Sequence, residues 1–400
     1  MLAAVAVVFP LVMLAAMFSA GAIGGAVTGR TARALGSGNI DEASSVLVCA
    51  VVISVIAGVL MWLLVIRFGP LLYPLATHRQ VVLELAQHYA SVLFPAMPAF
   101  WLVNMLCSVM RGSGDMVKPA LVAATMLIGY SVFAYLFIHR ADLDQESTIR
   151  AGAQAMVAAY LCALALTLYF ISHKNQPVRF NLRAFRWSML GNLLRQGLLA
   201  SSQSLMTVAY ASVTTILLGR LGTDWLAGYG LAVRLELIMV PVIFGMGAAL
   251  IAIVGAYVGA GQRTKAIAIA WRGVLLNAAV IGLVGLFFAL FPGSWCNALG
   301  SDANVMENCR QSLRVISPTY LFFALGLGCY FASQGLNTLA FPVIGALIRL
   351  LLVISGLFWI NQTTNPAHAL LLIACAVVCY GLIVVAGLKF GPWRHGKESD

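Results

Sequence analysis

The chain reads as an all-α integral membrane protein, with eleven transmembrane helices in two pseudo-symmetric lobes built as parallel repeats, five helices plus six. Three observations predict this. Too few charges are present to wet a soluble surface, long apolar runs are separated by short basic loops, and the chain resembles itself at a shift of 223 residues.

Charged residues make up 9% of the 400 positions and hydrophobic ones 62%. A soluble protein carries roughly a quarter charged residues, so lipid must be the solvent for most of this surface. The formal charge of +11 does not point to nucleic acid, because the Lys and Arg residues sit in short loops between apolar runs, where membrane topology places them. The eight cysteines include no metal-binding spacing. Cys49, Cys107, Cys162, Cys329 and Cys375 fall inside apolar runs and are expected to be small core fillers.

A spanning helix needs about 20 mostly apolar residues. Runs of this kind cover 1–28, 44–66, 87–110, 117–138, 151–172, 197–219, 225–258, 266–291, 312–333, 339–360 and 367–388. They are continuously apolar and do not alternate, so they are helices and not barrel strands. The first run lacks a positive leader, and its basic residues, Arg30 and Arg33, come after it, so it is read as a span and not a signal peptide.

Orientation follows from the basic residues. Fifteen lie in loops after odd-numbered spans, among them Arg30, Arg33, Arg111, Lys118, Lys174, Arg263, Lys265, Arg394 and Lys397. Seven lie in the opposite loops: Arg67, Arg79, Arg140, Arg150, Arg220, Arg310 and Arg314. The positive-inside rule puts the richer set in the cytoplasm of a multi-pass cell-membrane protein, with a bacterial inner membrane as the expected setting. The C-terminus is then inside and the N-terminus of the chain outside.

The domain boundaries follow: a first lobe over 1–172, a cytoplasmic linker over 173–196, a second lobe over 197–388 and a cytoplasmic tail over 389–400. The linker portion RFNLRAFRWSML mixes Arg with Phe, Trp and Leu. It suits either a helix lying in the interface or a solvated connection.

At the 223-residue shift Gly24 meets Gly247, Gly36-Ser-Gly38 meets Gly259-Ala-Gly261, Ala43 meets Ala266, Pro95 meets Pro318, Phe100 meets Phe323, Gly112 meets Gly335 and Pro119 meets Pro342. Matched spans run in the same direction, so the repeat is parallel, with its pseudo-axis along the membrane normal. Two such halves suit alternating access by rocking. A static channel is the competing reading, but no filter-like carbonyl loop or ring of acids is evident.

Four stretches now carry a resemblance. GGAVTGRTARALGSGNIDEA (24–43) and its counterpart 247–266, RGSGDMVKP (111–119), LAGYGLAVRLELIMVPVIFGMG (226–247) and YFASQGLNTLAFPVIGALIRL (330–350) resemble, in order, motifs of the multidrug and toxic compound extrusion family. The resemblance extends over essentially the whole chain. It implies a secondary active transporter, not an enzyme, exporting amphipathic, cationic drugs or metabolites by antiport with H⁺ or Na⁺, with no other cofactor. The expected partners are a small-molecule substrate and membrane lipid, with no nucleic acid, and the chain is expected to be a monomer. A lipid-linked-saccharide flippase of related architecture and an inactive truncated exporter are the alternatives.

The chain departs from the family in offering five helices, not six, in its first lobe. Span six has no partner under the repeat, its equivalent would begin before Met1, and an acid that takes part in coupling in many members has no counterpart here. The expectation is that the first helix is missing and that transport is weak or absent without it.

Charges inside spans are expensive, so those retained face a cavity or a partner. Glu236 is the one acid well inside a span, with Arg234 two positions away and Arg349 in span ten. Two helical positions separate side chains by about 200°, so Arg234 and Glu236 point to different faces. Arg349 or the neighbourhood of Arg234 is expected to supply the counter-charge for Glu236, as part either of ion coupling or of a structural ion pair. Gln203, Ser204, Tyr210, Tyr229, Gln334 and Asn337 are candidate cavity groups, with helix–helix adhesion as the competing role. His88 and His139 sit near span ends and are expected to snorkel. No HExxH or GxSxG motif marks a catalytic centre. Cys296 and Cys309 share an outer loop and are either bridged or free, since spacing alone does not decide.

Overall fold

The computed structural model describes residues 2–75, 79–138, 144–173, 177–300, 302–361 and 363–393; His139, Arg140, Lys174, Arg394 and Lys397 lie outside them. Among the described residues, eleven apolar helices account for the eleven runs: α1 (Ala3–Gly36), α2 (Ile40–Leu72), α3 (Gln80–Gly112), α4 (Val117–Ile138), α5 (Gln145–Ser172), α6 (Trp187–Leu221), α7 (Thr223–Gly259), α8 (Arg263–Leu290), α9 (Ala303–Leu336), α10 (Ala340–Gly356) and α11 (Pro366–Phe390). All-helical structure is what a bilayer demands, because each helix satisfies its own backbone hydrogen bonds. Large apolar side chains such as Leu127, Leu283 and Leu290 are exposed on the outer faces, where lipid covers them.

Most helices outrun the apolar windows that predict them. The polar turns Gln80–His88 of α3, Gln145–Arg150 of α5 and Ala303–Gln311 of α9 stay helical past the apolar limit. Extending an existing helix adds a hydrogen bond for each residue fixed, so polarity alone does not stop it. Side-chain caps open three of the helices. The Asn39 side chain accepts from Glu42 N at 2.9 Å to open α2, Asp144 accepts from Ser147 N at 2.9 Å to open α5, and Asp302 accepts from Asn304 N at 2.9 Å to open α9. By contrast α4 coincides with its window, and α10 closes at Gly356, short of the expected residue 360.

The linker differs from its helical reading. Residues 177–186 hold a single 3-10 turn, Leu182–Ala184, and regular α-helix begins at Trp187 as the start of α6. Asn181 sits in extended backbone and its side chain accepts from Arg183 N at 3.0 Å, a local bond that competes with helix.

The chain divides into two compact units, Met1–Leu198 and Leu199–Asp400, with α6 running across the boundary. The repeat is visible contact by contact inside each. In the first unit a Cβ on Gly112 would meet the Thr28 carbonyl and Thr31. In the second, a Cβ on Gly335 would meet the Ile251 carbonyl and Val254, the residues 223 positions on. Gly24 lies against Ser108 as Gly247 lies against Phe331, again at the same shift. Pro95 interrupts α3 with a 3-10 turn over Phe94–Ala96, and Pro318 interrupts α9 over Ser317–Thr319. Gly38 and Gly261 turn the chain at φ of 75° and 73°, left-handed backbone that a side chain disfavours.

Cys296 and Cys309 are disulfide-bonded, tying the short helix Gly293–Leu299 to α9. Of the cysteines expected as core filler, Cys49, Cys107 and Cys329 are buried, whereas Cys162 and Cys375 are exposed. A small sulfur side chain is apolar enough to face lipid, which composition cannot distinguish from core.

Candidate functional site

In the second unit, α6 presents Gln203, Thr207, Tyr210 and Thr214 along one face at steps of four, three and four residues, the period of a helical stripe. Each threonine hydroxyl bonds back one turn, Thr207 to the Gln203 carbonyl at 2.9 Å and Thr214 to the Tyr210 carbonyl at 2.8 Å. That leaves the Thr207 oxygen free to accept. Arg349, only 1% exposed on α10, donates to it through Nη2 at 2.9 Å.

The Arg349 guanidinium also lies 4.4 Å from the Tyr210 ring centroid and 4.7 Å from that of Tyr380, with Phe323 at 5.9 Å. A planar, weakly hydrated cation between two ring faces is stabilised without a carboxylate in contact. Its Nε has no hydrogen-bond partner. The Tyr380 hydroxyl accepts from Gln203 Nε2 at 2.9 Å, which fixes the second ring.

Glu236 faces the same spot from α7. With Tyr210, Tyr229, Ile316, Thr319, Tyr320, Phe323, Arg349 and Val377 it lines a small cavity in which about 10 Å³ is open to the centre of a water molecule. That is room for roughly one water, far below the few hundred Å³ of a drug pocket. Glu236 is the one carboxylate in this lining and Arg349 the one guanidinium. Among the described residues no ion pair within 4.0 Å joins them. Both line the cavity without direct contact. Chemically, the site can take up one proton or one small cation next to a fixed positive charge.

The sequence candidates fall into three groups. Tyr210, Tyr229, Glu236 and Arg349 meet at this cavity, and Gln203 joins through Tyr380. Ser204 and Gln334 are buried outside its lining; Ser204 reaches the Tyr330 hydroxyl, which donates to the Ala200 carbonyl at 3.3 Å. Arg234 and Asn337 are exposed. Arg234 points away from Glu236 as their helical spacing requires, and Asn337 closes the last turn of α9 at φ 59°, a left-handed cap that Asn tolerates. Sequence reasoning missed Thr207, Thr319, Tyr320, Phe323 and Tyr380. Thr207 could have been found from its place on the Gln203–Tyr210 face. Tyr380 sits in an apolar run with nothing to single it out.

Two further polar groupings also went unread. In the first unit, Asn104 Nδ2 donates to Ser19 Oγ at 3.0 Å, Ser108 Oγ donates to the Asn104 carbonyl at 2.8 Å, and Arg111 Nη2 donates to Ser108 Oγ at 2.9 Å. Ser19 lies in a π-helical turn, Met17–Ala22, of α1, a local widening that recurs at functional sites. In the second unit an open cleft of about 350 Å³ is lined by Asp224, Trp225, Asn304, Glu307 and Asn308 among others. Its acids are engaged, Glu307 with Arg310 at 3.1 Å and Asp224 with the Thr223 hydroxyl at 3.3 Å. His88 Nδ1 lies 3.1 Å from a Glu146 carboxylate oxygen, so the ring faces the start of α5 where snorkelling was expected.

Comparison with known proteins fits this architecture. A probable multidrug resistance protein NorM of Thermotoga maritima is 22% identical over 331 residues, 81% of this chain and 70% of that protein. An FAD transporter of Shewanella oneidensis is 23% identical over 95% of this chain and 86% of that protein. A solved structure of a multidrug resistance MATE family transporter of the MOP superfamily, in an outward-facing conformation, superposes with a TM-score of 0.84 at 22% identity, covering 98% of this chain and 87% of that one. A MOP superfamily transporter from Pyrococcus furiosus gives 0.86 with the same identity and coverage. These likenesses fix the fold. The family model described as MatE matches residues 1–137 and 200–359, most of the chain and parts of both repeats; the chain therefore belongs to the MatE family and is a multi-pass membrane efflux transporter.

Proposed function

We infer that the chain exports amphipathic, cationic drugs or metabolites by alternating access, in antiport with inward H⁺ or Na⁺, and that Glu236 is the group that carries the coupling charge. The observation that supports this reading is the water-sized cavity holding one carboxylate, three tyrosines and the guanidinium of Arg349. A charge with no direct ion-pair partner inside a span is costly, and a cavity this small admits an ion but not an organic substrate. Drug recognition then falls to other surfaces, and several relatives are described as probable multidrug resistance proteins.

A second reading has one specific support: the Shewanella oneidensis relative, matched over 95% of this chain, is an FAD transporter. An anionic dinucleotide is then an alternative cargo. Both readings are tested in proteoliposomes of the full chain, loaded with either a cationic dye or FAD, with and without an imposed proton or sodium gradient. Gradient-driven dye export that Glu236→Gln abolishes, with gradient-free exchange retained, supports the coupling role. Gradient-driven export that survives Glu236→Gln at equal protein levels refutes it. FAD export without dye export replaces the cargo but leaves the coupling site standing.

A further inference from the structure

The linker segment Pro177–Trp187, sequence PVRFNLRAFRW, has features that transport chemistry does not use. It carries Arg179, Arg183 and Arg186, and no acid occurs anywhere from 173 to 196. All three arginines are exposed, and among the described residues none has a carboxylate within 4.0 Å. Between and beside them Phe180, Leu182 and Trp187 are 54%, 70% and 77% exposed.

The segment is fastened to α2 and does not hang in water. Val178 is buried in the core of the first unit. Arg179 N donates to Ser44 Oγ at 3.4 Å, and the Cys49 thiol donates to the Arg186 carbonyl at 3.7 Å. Ser44 and Cys49 lie a few residues beyond Ile40, where α2 begins. At a rise of 1.5 Å per residue they sit about 6 and 13 Å along the helix. The segment therefore runs along the first turns of α2 from the polar end that Asp41 and Glu42 begin toward its apolar part, a stretch that in a spanning helix falls where headgroups give way to acyl chains. An aromatic ring is at home at that depth, and an arginine there reaches phosphate.

We propose that Pro177–Trp187 is a binding site for anionic glycerophospholipid, in which Arg179, Arg183 and Arg186 take the headgroup phosphate while Phe180, Leu182 and Trp187 seat against the acyl chains. The guanidinium fork matches phosphate oxygens two at a time. Unpaired positive charge so close together selects lipid with net negative charge over zwitterionic lipid, which carries the same phosphate beside a cation.

The test is native mass spectrometry of the full chain from micelles containing equimolar phosphatidylglycerol and phosphatidylcholine. The wild type is expected to retain phosphatidylglycerol over phosphatidylcholine by about tenfold or more. The combined substitution Arg179→Gln, Arg183→Gln and Arg186→Gln should bring that preference near one, while the same three positions changed to Lys should keep a clear preference. If the triple Gln variant does not fold, Arg183→Gln alone, on the exposed 3-10 turn, should lower the preference severalfold. Equal retention of the two lipids by the wild type, or an unchanged preference in the Gln variants, overturns the proposal. Displacement of the lipid by excess inorganic phosphate would place the site in water and overturns it as well.

Discussion

Changing Arg349 to Lys keeps the charge at the second-unit cavity and removes its shape. The guanidinium bonds Thr207 at 2.9 Å and lies between the rings of Tyr210 and Tyr380 at 4.4 and 4.7 Å. An ammonium can still reach the Thr207 hydroxyl but has no plane to lay against two rings at once. Losing one desolvated cation–π contact costs about 1–2 kcal/mol. Arg349→Ala also removes the Thr207 hydrogen bond and both ring contacts and leaves the Glu236 cavity without a cation, so it should cost more than the Lys change. For a unit the size of Leu199–Asp400 each kcal/mol moves the melting point by about 2–4 °C, so the Lys variant should melt about 2–8 °C lower and the Ala variant considerably lower. Scanning fluorimetry of the purified protein reads both. Combining Arg349→Ala with Glu236→Gln should cost less than the sum of the two, because neutralising the acid removes its need for a counter-charge. A Lys variant melting within about 1 °C of wild type, or strict additivity in the double variant, would refute this account of the site.

Other changes have defined outcomes. Gly326→Ala places a methyl against the Tyr380 ring, with Cδ1 and Cζ at 2.7 Å, so it should cost about 1–3 kcal/mol by overpacking and lower the melting point. An impermeant maleimide without reductant should label neither Cys296 nor Cys309, and reduction should cost about 3 kcal/mol of loop entropy; strong labelling of the unreduced protein would disprove the bond. Burial pushes the Asp115 carboxyl up, but hydrogen bonds from Lys118, the Lys118 charge and the Val117 N–H outweigh it and hold it below its usual value. With the folded value depressed, its contribution is present above the unfolded pKa of about 3.9 and lost as pH falls below it. Asp115→Asn should therefore flatten the acid limb of a stability–pH curve. A reporter fused after residue 180 should be cytoplasmic and one after residue 300 external; a cytoplasmic signal at 300 would overturn the orientation.

The helices were legible because a bilayer imposes one crude rule, a long apolar run, and the 117–138 window matches α4 to the residue. Helix ends were not, because capping by Asn39, Asp144 and Asp302 is set by single side chains outside the runs. Glu236 and Arg349 stood out because charge inside a span is rare. Tyr380 and Phe323 did not, since aromatic residues in apolar runs are ordinary until a structure shows what they face. Arg234 looked equivalent to Glu236 by composition, and only its place on the helix separated the two.

The repeat sharpens what is particular to each lobe. Glu236 and Arg349 correspond, 223 residues earlier, to Met13 and Met126, so the first unit has no charge pair at the matching place. Conversely Ser19, Asn104, Ser108 and Arg111, the bonded polar file of the first unit, correspond to Val242, Leu327, Phe331 and Gln334. The packing glycines are shared, whereas of these polar positions only the last, Arg111 and Gln334, is polar in both units. Close helix packing needs glycine at the same positions in both halves, because a Cβ at Gly112 or Gly335 would strike the facing helix. Buried polar groups answer to no such requirement and each costs stability unless satisfied. The second unit thus carries Glu236 and Arg349 at its cavity, and the first a hydrogen-bonded file from Ser19 to Arg111. Transplanting the two residues, as Met13→Glu with Met126→Arg in a Glu236→Gln, Arg349→Met background, should not restore gradient-driven export, because the first unit has Val157 where the second has Tyr380, one of the rings that hold the guanidinium. Recovered export in that variant would show that the site is interchangeable between lobes.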